Sequence, residues 1–95
     1  MKIEETGLSG LKVLTPLRFG DSRGFFSESW NKRLLAQHVL DFDFVQDNHS
    51  RSSRGVLRGL HFQRIQPQGK LVRVPQGRVF DVAVDIRPES PTYGQ

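Results

Sequence analysis

The sequence predicts an antiparallel β sandwich or barrel with one short helix. Apolar residues alternate with polar ones through most of the second half, most clearly where Phe80, Val82, Val84 and Ile86 fall on one face of a strand. Turn signals rich in proline and glycine separate these segments at short intervals. Only one stretch has the spacing of an amphipathic helix. Short strands with such turns are typical of sandwiches and barrels.

The first third of the chain is predicted to hold one strand, one turn and the helix. Residues 8–19 alternate loosely, and Pro16 places part of that strand at a sheet edge. Residues 21–24, with Asp21 and Gly24 at the ends, have the composition of a turn. The helix is predicted over residues 30–38, with Asn31 as its cap and Trp30, Leu34 and Leu35 on its apolar side.

Four further strands are predicted after Asp41. Their ranges are 44–48, 56–63, 70–75 and 78–86, and a polar loop covers 49–55. The last three strands are separated by Pro67-Gln68-Gly69 and by Pro75-Gln76-Gly77, which both favour turns. We therefore expect these strands to pair as antiparallel neighbours.

Size and composition narrow the class of protein and its ligand. With 95 residues the chain is predicted to form one domain, or part of one. Ten of the fourteen cationic residues are arginines and the net charge is +4, which favours an anionic ligand over a neutral one, although a plain basic surface would have the same composition. Cysteine is absent, so disulfides and thiolate metal sites are excluded. The polar N-terminus and the short apolar runs predict a cytoplasmic protein with no membrane contact.

His61 is the most suggestive single residue of the sequence. It follows Arg58 and Gly59 and precedes Gln63, and such neighbours are typical of an anion-binding pocket. A lone strand histidine is more often bonded to a backbone carbonyl, and Arg58 and His61 have opposite parity on an ideal strand. Gly59 between them is the usual place for a bulge that would bring both side chains to one site.

A lysine and an aspartate on neighbouring strands extend this site. Pairing across residues 75–77 would bring Lys70 near Asp81, which lies between Val79 and Ala83. Such a pair would keep the ammonium group charged and fixed in direction. The three histidines lack metal-ligand spacing, and Gln63 stands where a second strand ligand would be, so no metal is expected.

Several motifs in order resemble one enzyme family, dTDP-4-dehydrorhamnose 3,5-epimerase. The resemblance runs from about Arg18 to Gln95, nearly the whole chain. Its motifs are residues 21–26 with Glu28, residues 44–51, residues 55–63, residues 68–72 and residues 77–85.

The resemblance implies a fold, a reaction and an assembly. The fold would be a cupin jelly roll, truncated here, that works as a homodimer without metal or other cofactor. The reaction would be epimerisation of a dTDP-4-keto-6-deoxyhexose on the route to dTDP-L-rhamnose. His61 matches the family's catalytic base, and Lys70 matches the lysine that stabilises the enolate.

Other matching positions would bind the sugar nucleotide. Arg58 matches a residue that contacts the ligand near its diphosphate, and Gln46 and Asn48 match polar residues of the same pocket. Arg23, Phe25 and Glu28 match the nucleotide-binding stretch, where an aromatic ring can stack on thymine and a carboxylate can accept from its N–H. Asp81 would support the site.

Length is where the chain departs from the family. Family members are longer, so residues 1–95 are expected to be the N-terminal part of an epimerase barrel, weakly active or inactive alone. The general-acid tyrosine and the acid that orients the histidine match no residue of this chain. Tyr93 lies in a stretch that matches a family loop, so we do not expect it to be that acid.

Two other functions remain open on the sequence alone. A non-catalytic cupin module would bind a sugar nucleotide through Arg23, Arg58 and Lys70 without reaction. Nucleic-acid binding through Arg51, Arg54, Arg58 and Arg64 is less well supported, because no recognisable module accompanies these arginines, and no nucleic-acid partner is expected. The sequence does not distinguish one-carbon from two-carbon epimerisation, or the deoxysugar.

Overall fold

The computed structural model describes residues 1–38 and 40–95 of the chain. Its regular elements all lie in the first part: β1 Lys2–Glu5, β2 Lys12–Thr15, β3 Arg18–Asp21, β4 Gly24–Ser27 and the helix α1 Lys32–Ala36. The strands form two antiparallel pairs, β1 with β2 and β3 with β4. The predicted class, antiparallel β strands with one short helix, is confirmed.

The first hairpin differs from the prediction because a proline interrupts the apolar pattern. We predicted one strand over 8–19, but these residues divide between the β1–β2 loop, β2 and the start of β3. Pro16 lies between β2 and β3 and has no N–H to donate to a sheet. β1 was not predicted at all. It pairs with β2 so that Ile3 lies opposite Leu14, and Lys12 forms an ion pair with Glu5.

The second hairpin confirms the predicted turn. Asp21 lies opposite Gly24, so Ser22 and Arg23 form the connection. The Arg23 backbone N–H donates to Asp21 Oδ1 over 2.8 Å, the side-chain-to-backbone bond that makes aspartate favourable in turns. Gly24 has φ +137°, a backbone conformation that residues with a Cβ rarely adopt.

The helix α1 confirms both the predicted position and its cap. Asn31 Oδ1 accepts a hydrogen bond of 3.0 Å from the backbone N–H of Leu34. Leu35 is fully buried, and it is the one apolar side chain so classed among residues 1–38 and 40–95. Trp30 lies just before the helix and packs edge to face on Phe44, with 5.1 Å between ring centroids. The core is therefore a small cluster around this helix.

The four strands predicted after Asp41 are not formed. Over residues 41–95 the described chain has turns and irregular structure, and residues 57–84 make no backbone–backbone hydrogen bond within the described part. Alternation indicates which face of a segment can be buried, but a strand also needs a neighbour for its N–H and C=O groups. No described segment of this chain supplies that neighbour. Side chains such as Val45, Leu57 and Phe80 consequently stay about nine-tenths exposed (93%, 89% and 94%).

No helix among the described residues is long and apolar enough to cross a membrane.

Candidate functional site

His61 and Lys70 line the same hollow. Its volume is about 230 Å³, and its other walls are Phe62, Gln63, Pro67 and Gln68. The chain bends over residues 64–66, between the two side chains, and not at the turn predicted over 67–69. Both side chains remain accessible to solvent. A group that accepts a proton and a group that carries a positive charge thus face one space, as proton abstraction next to a ketone would require.

Gly59 lies against the ring of His61. It has φ +96°, and a Cβ added there would lie 3.5 Å from His61 Nδ1 and 3.4 Å from the His61 backbone nitrogen. A side chain at this position would therefore be strained in backbone conformation and would touch the imidazole. The bulge predicted at Gly59, which would bring Arg58 and His61 to one site, is not formed, because residues 56–63 are not a strand.

Arg58 does not line this hollow. Its Nε donates to Ser52 Oγ over 3.0 Å, and its terminal NH2 reaches the carbonyl oxygen of Arg51 at 3.5 Å. The guanidinium therefore steadies the polar loop that precedes it. A role for Arg58 at the sugar nucleotide stays a prediction.

Asp81 is not paired with Lys70 either. Among the ion pairs of residues 1–38 and 40–95, none joins these two side chains, and Asp81 is exposed. The predicted pairing required strands over 70–75 and 78–86, which are not formed. Its supporting role at the site stays a prediction.

Gln46 and Asn48 lie together, as their alternation predicts. Gln46 Nε2 donates to Asn48 Oδ1 over 3.1 Å, so the two amides share one face of an exposed segment. Among the described residues no hydrogen bond reaches the Gln46 carbonyl oxygen or the Asn48 amide nitrogen, so the pair offers a ligand both an acceptor and a donor.

The three residues expected at the nucleotide occupy both faces of the β3–β4 hairpin. Arg23 is bonded within the turn, where its NH2 lies 2.6 Å from Asp21 Oδ2, and these bonds lower the pKa of Asp21. Phe25 carries the guanidinium of Arg18 over its ring, with Cζ 3.6 Å from the centroid. Glu28 lies on the other side of the hairpin.

Glu28 belongs to a second, more apolar hollow. Glu28 Oε1 accepts a 3.0 Å hydrogen bond from Asn31 Nδ2, which holds the carboxylate beside the helix cap. The hollow has a volume of about 230 Å³ and is lined by Met1, Leu17, Phe19, Phe26, Glu28 and Leu34. The aromatic rings that accompany the carboxylate are thus those of Phe19 and Phe26, which are paired across the strands. Phe25 is not among them.

The most highly organised polar group is one to which the sequence assigned no role. Asp85 is 5% exposed, and its carboxylate accepts from Arg87 Nε and NH2 (both 2.9 Å), from Ser90 Oγ (2.5 Å) and from Thr92 Oγ1 (2.5 Å). The hydrogen bonds from Arg87, followed by those from the two hydroxyls, lower the pKa of Asp85 well below its usual range.

Backbone bonds close the same loop. The Asp85 N–H donates to the carbonyl of Gln95 over 2.8 Å, and the Gly94 N–H donates to the carbonyl of Asp85 over 2.7 Å. The signal was present in the sequence, because Asp, Ser and Thr commonly bond backbone N–H groups two residues ahead, as Asp85 does to Arg87 over 3.0 Å. Tyr93 lies on this loop and is exposed.

The side chains that could bind a metal ion are not clustered in the described part of the chain. In the part of the chain that the structure describes, no three histidine, aspartate or glutamate side chains gather as metal ligands would. The expectation of a metal-free site stays a prediction.

Comparison with known proteins agrees with the motifs. The family model described as dTDP-4-dehydrorhamnose 3,5-epimerase matches residues 5–95. The chain is 55% identical over 98 aligned residues to dTDP-4-dehydrorhamnose 3,5-epimerase of Pseudomonas aeruginosa, covering all of this chain and 53% of that protein. The enzyme of the same name from Escherichia coli is 54% identical, with all of this chain and 52% of that protein covered.

A third relative gives a similar match. The dTDP-4-dehydrorhamnose 3,5-epimerase of Methanothermobacter thermautotrophicus is 54% identical over 91 residues, which cover 96% of this chain and 49% of that protein. The chain thus spans about half the length of these relatives, and the matching motifs are spread along all of it. On this evidence the chain belongs to the dTDP-4-dehydrorhamnose 3,5-epimerase family.

Proposed function

We propose that this protein epimerises a dTDP-linked 4-keto-6-deoxyhexose, with His61 as the base and Lys70 as the electrostatic stabiliser. The observation that carries the proposal is the shared hollow of these two side chains. Membership of the family supplies the substrate class. The alternative of a binding module without catalysis would need neither group to face a reacting carbon.

The chemistry follows from the ketone. Neutral His61 removes the proton from a carbon adjacent to C4, and the electron pair of that C–H bond forms the enolate, with negative charge on the ketone oxygen. The ammonium of Lys70 lies on the same hollow and stabilises that charge as it develops. Return of a proton to the opposite face of the carbon restores the ketone and inverts the centre. No electrons are gained or lost overall.

The nucleotide is held by other parts of the chain in this proposal. Gln46 and Asn48 present their remaining amide groups to the ligand, and Arg58 contacts the diphosphate once it leaves Ser52. Arg23, Phe25 and Glu28 bind the nucleoside. Of these three, Glu28 has the best support, because its carboxylate lies beside an apolar hollow of aromatic rings.

The active assembly would contain more than these elements. We propose a cupin jelly roll, a homodimer and a cytoplasmic location. We assign the acid that reprotonates the substrate and the carboxylate that orients His61 to no residue of this chain. The exposed apolar side chains of residues 56–86 support such an assembly, because they would be buried by it.

Deuterium exchange tests the catalytic proposal. With the intact protein in deuterated water, a dTDP-4-keto-6-deoxyhexose should gain deuterium next to the ketone. We expect His61→Ala to reduce that exchange by about 100-fold or more, since a positioned base contributes about 10²–10⁴-fold. Equilibrium binding of dTDP should change little, because His61 acts on the sugar.

His49→Ala is the matched control, because His49 is equally exposed and does not line the hollow. It should leave exchange unchanged. Exchange by His61→Ala at the wild-type rate would contradict the assignment of the base. Tight dTDP binding with no exchange in the wild-type protein would establish the non-catalytic module instead.

A further inference from the structure

The residues that line the hollow of His61 and Lys70 belong to a long basic segment of the sequence. Between Asp47 and Asp81 the chain has no acidic residue, and residues 48–80 contain Lys70 and six arginines: Arg51, Arg54, Arg58, Arg64, Arg73 and Arg78. The segment has a net charge of +7, whereas the whole chain has +4, so the remaining residues together have −3. We call residues 48–80 the basic segment.

The structure leaves this charge uncompensated. All residues of the basic segment are exposed, and every ion pair found in residues 1–38 and 40–95 lies outside it. Five of the ten acidic side chains are already paired with cations outside the segment, as in Lys32 with Asp43 and Arg87 with Asp85. Like charges concentrated in one part of a chain repel one another and destabilise the folded state. A bound ligand of opposite charge would reduce this repulsion.

We propose that the arginines of the basic segment outside the hollow steer an anionic ligand, a nucleoside diphosphate, into it. The proposal rests on the proposed function for the identity of the ligand. Arg64, Arg73 and Arg78 have no hydrogen bond or ion pair in the described structure, and Arg64 follows Gln63, a wall of the hollow. Their charges act over distances near the Debye length, about 8–10 Å, and so attract the ligand without contact.

Long-range attraction of the ligand changes the binding kinetics in a way that direct contact with it does not. Long-range attraction raises the rate of association and falls with ionic strength, whereas loss of a direct contact mainly raises the rate of dissociation. In a dTDP-linked sugar the diphosphate lies between the nucleoside and the sugar, so the attraction acts on the middle of the ligand. The sugar is then held beside His61 and Lys70, with the diphosphate nearer the arginines.

The test compares two triple variants of the intact protein by stopped-flow binding of dTDP. The first is Arg64→Gln, Arg73→Gln and Arg78→Gln, and the control is Lys2→Gln, Lys32→Gln and Arg33→Gln, which removes the same charge outside the basic segment. We expect the first variant to associate about 10-fold more slowly at low salt, the lower end of the known range of steering effects. Its dissociation rate should be unchanged, and the difference should largely vanish at high salt. The control should match the wild type.

The outcomes separate the two proposals. Equal slowing in both variants, or a change confined to the dissociation rate, would overturn steering and leave the proposed function intact. No dTDP binding by the wild-type protein would overturn both. Binding of a single-stranded oligonucleotide much tighter than dTDP, lost in the first variant only, would overturn steering of a small diphosphate in favour of a nucleic-acid surface.

Discussion

At the scale of single residues, the chemistry depends on how two exposed side chains come to share a space. His61 and Lys70 are nine positions apart, the chain bends between them over residues 64–66, and both line one hollow. Gly59 lies against the imidazole, since a Cβ there would be in van der Waals contact with the ring, 3.5 Å from Nδ1. The sequence motifs indicated both residues, whereas the positive φ of Gly59 and its contact with the ring follow only from the backbone.

Asp85 is the residue whose protonation should matter most for local structure. Hydrogen bonds from Arg87, Ser90 and Thr92 lower its pKa. Because the folded pKa lies below the unfolded value of about 3.9, the stabilisation is fully present above that pH and is lost as the pH falls toward the folded pKa. We expect the amide signals of Gly94 and Gln95 to be constant from neutral pH to about pH 5 and to shift only in stronger acid.

Two variants check this assignment by NMR titration. Asp85→Asn should weaken the loop at neutral pH and remove its acid dependence, since the charge is gone while a side-chain acceptor remains. Glu89→Gln removes the other acid of the loop, which is exposed, and should behave as the wild type. A midpoint near 3.9 in the wild type would show that the bonds to Asp85 are not formed in solution.

At the scale of elements, the helix α1 is the part that local signals determine best. Its N-terminus depends on one hydrogen bond from Asn31 Oδ1 to the Leu34 N–H. We expect Asn31→Ala to lower the free energy of unfolding by about 1 kcal/mol, the usual effect of removing an N-cap. Asn31→Ser retains an acceptor and should recover most of that loss. Chemical denaturation followed by Trp30 fluorescence measures both, and equal stability of the two variants would contradict the cap.

The distance along the chain between bonded residues explains how much of the fold could be predicted from sequence. The helix, its cap and the turn at Asp21 and Gly24 are made by neighbours in the chain, so residue type was enough to locate them. The strands over 56–63, 70–75 and 78–86 need distant partners, and a period-two pattern does not reveal whether one is at hand. β1 was overlooked because Lys2–Glu5 is mostly charged, and its strand follows from the register with β2.

The residues of the candidate site could likewise be predicted from the sequence only in part. The motifs indicated His61 and Lys70, and the structure brings them together. Motifs also indicated Phe25 and Glu28, yet these lie on different faces of a hairpin whose register fixes the facing of each side chain. Asp85 received no role because, apart from the local bonds to Arg87, its partners Ser90, Thr92 and the Gln95 backbone meet it only when the loop closes. Sequence motifs therefore indicated residue types more reliably than their common orientation.

At the scale of the whole molecule, the chain has more apolar surface than it buries. Leu57 and Phe80 are 89% and 94% exposed. A polar substitution at a site that stays exposed usually changes stability by less than about 0.5 kcal/mol. If assembly buries these side chains, as we propose, Phe80→Asp should lower the melting temperature of the intact protein and shift it toward a smaller oligomer.

Analytical ultracentrifugation and thermal unfolding test this prediction together. Tyr93→Asp is a suitable control, because Tyr93 is also an exposed aromatic residue but lies on the loop closed by Asp85. It should retain the assembly of the wild type. A Phe80→Asp protein with unchanged mass and melting temperature would show that this surface stays in water.

The closed loop of residues 85–95 also has a consequence for the order of folding. Its bonds join residues at most ten positions apart, and loops of about that length close in about 10–100 ns. Pairing between distant strands is far slower, because it must first overcome the entropy of closing long loops. We therefore expect the closed loop of residues 85–95 to form early. Its formation would shorten the search of the preceding apolar segment for a partner strand. In that sense one buried carboxylate would set the starting point from which the remaining sheet is assembled.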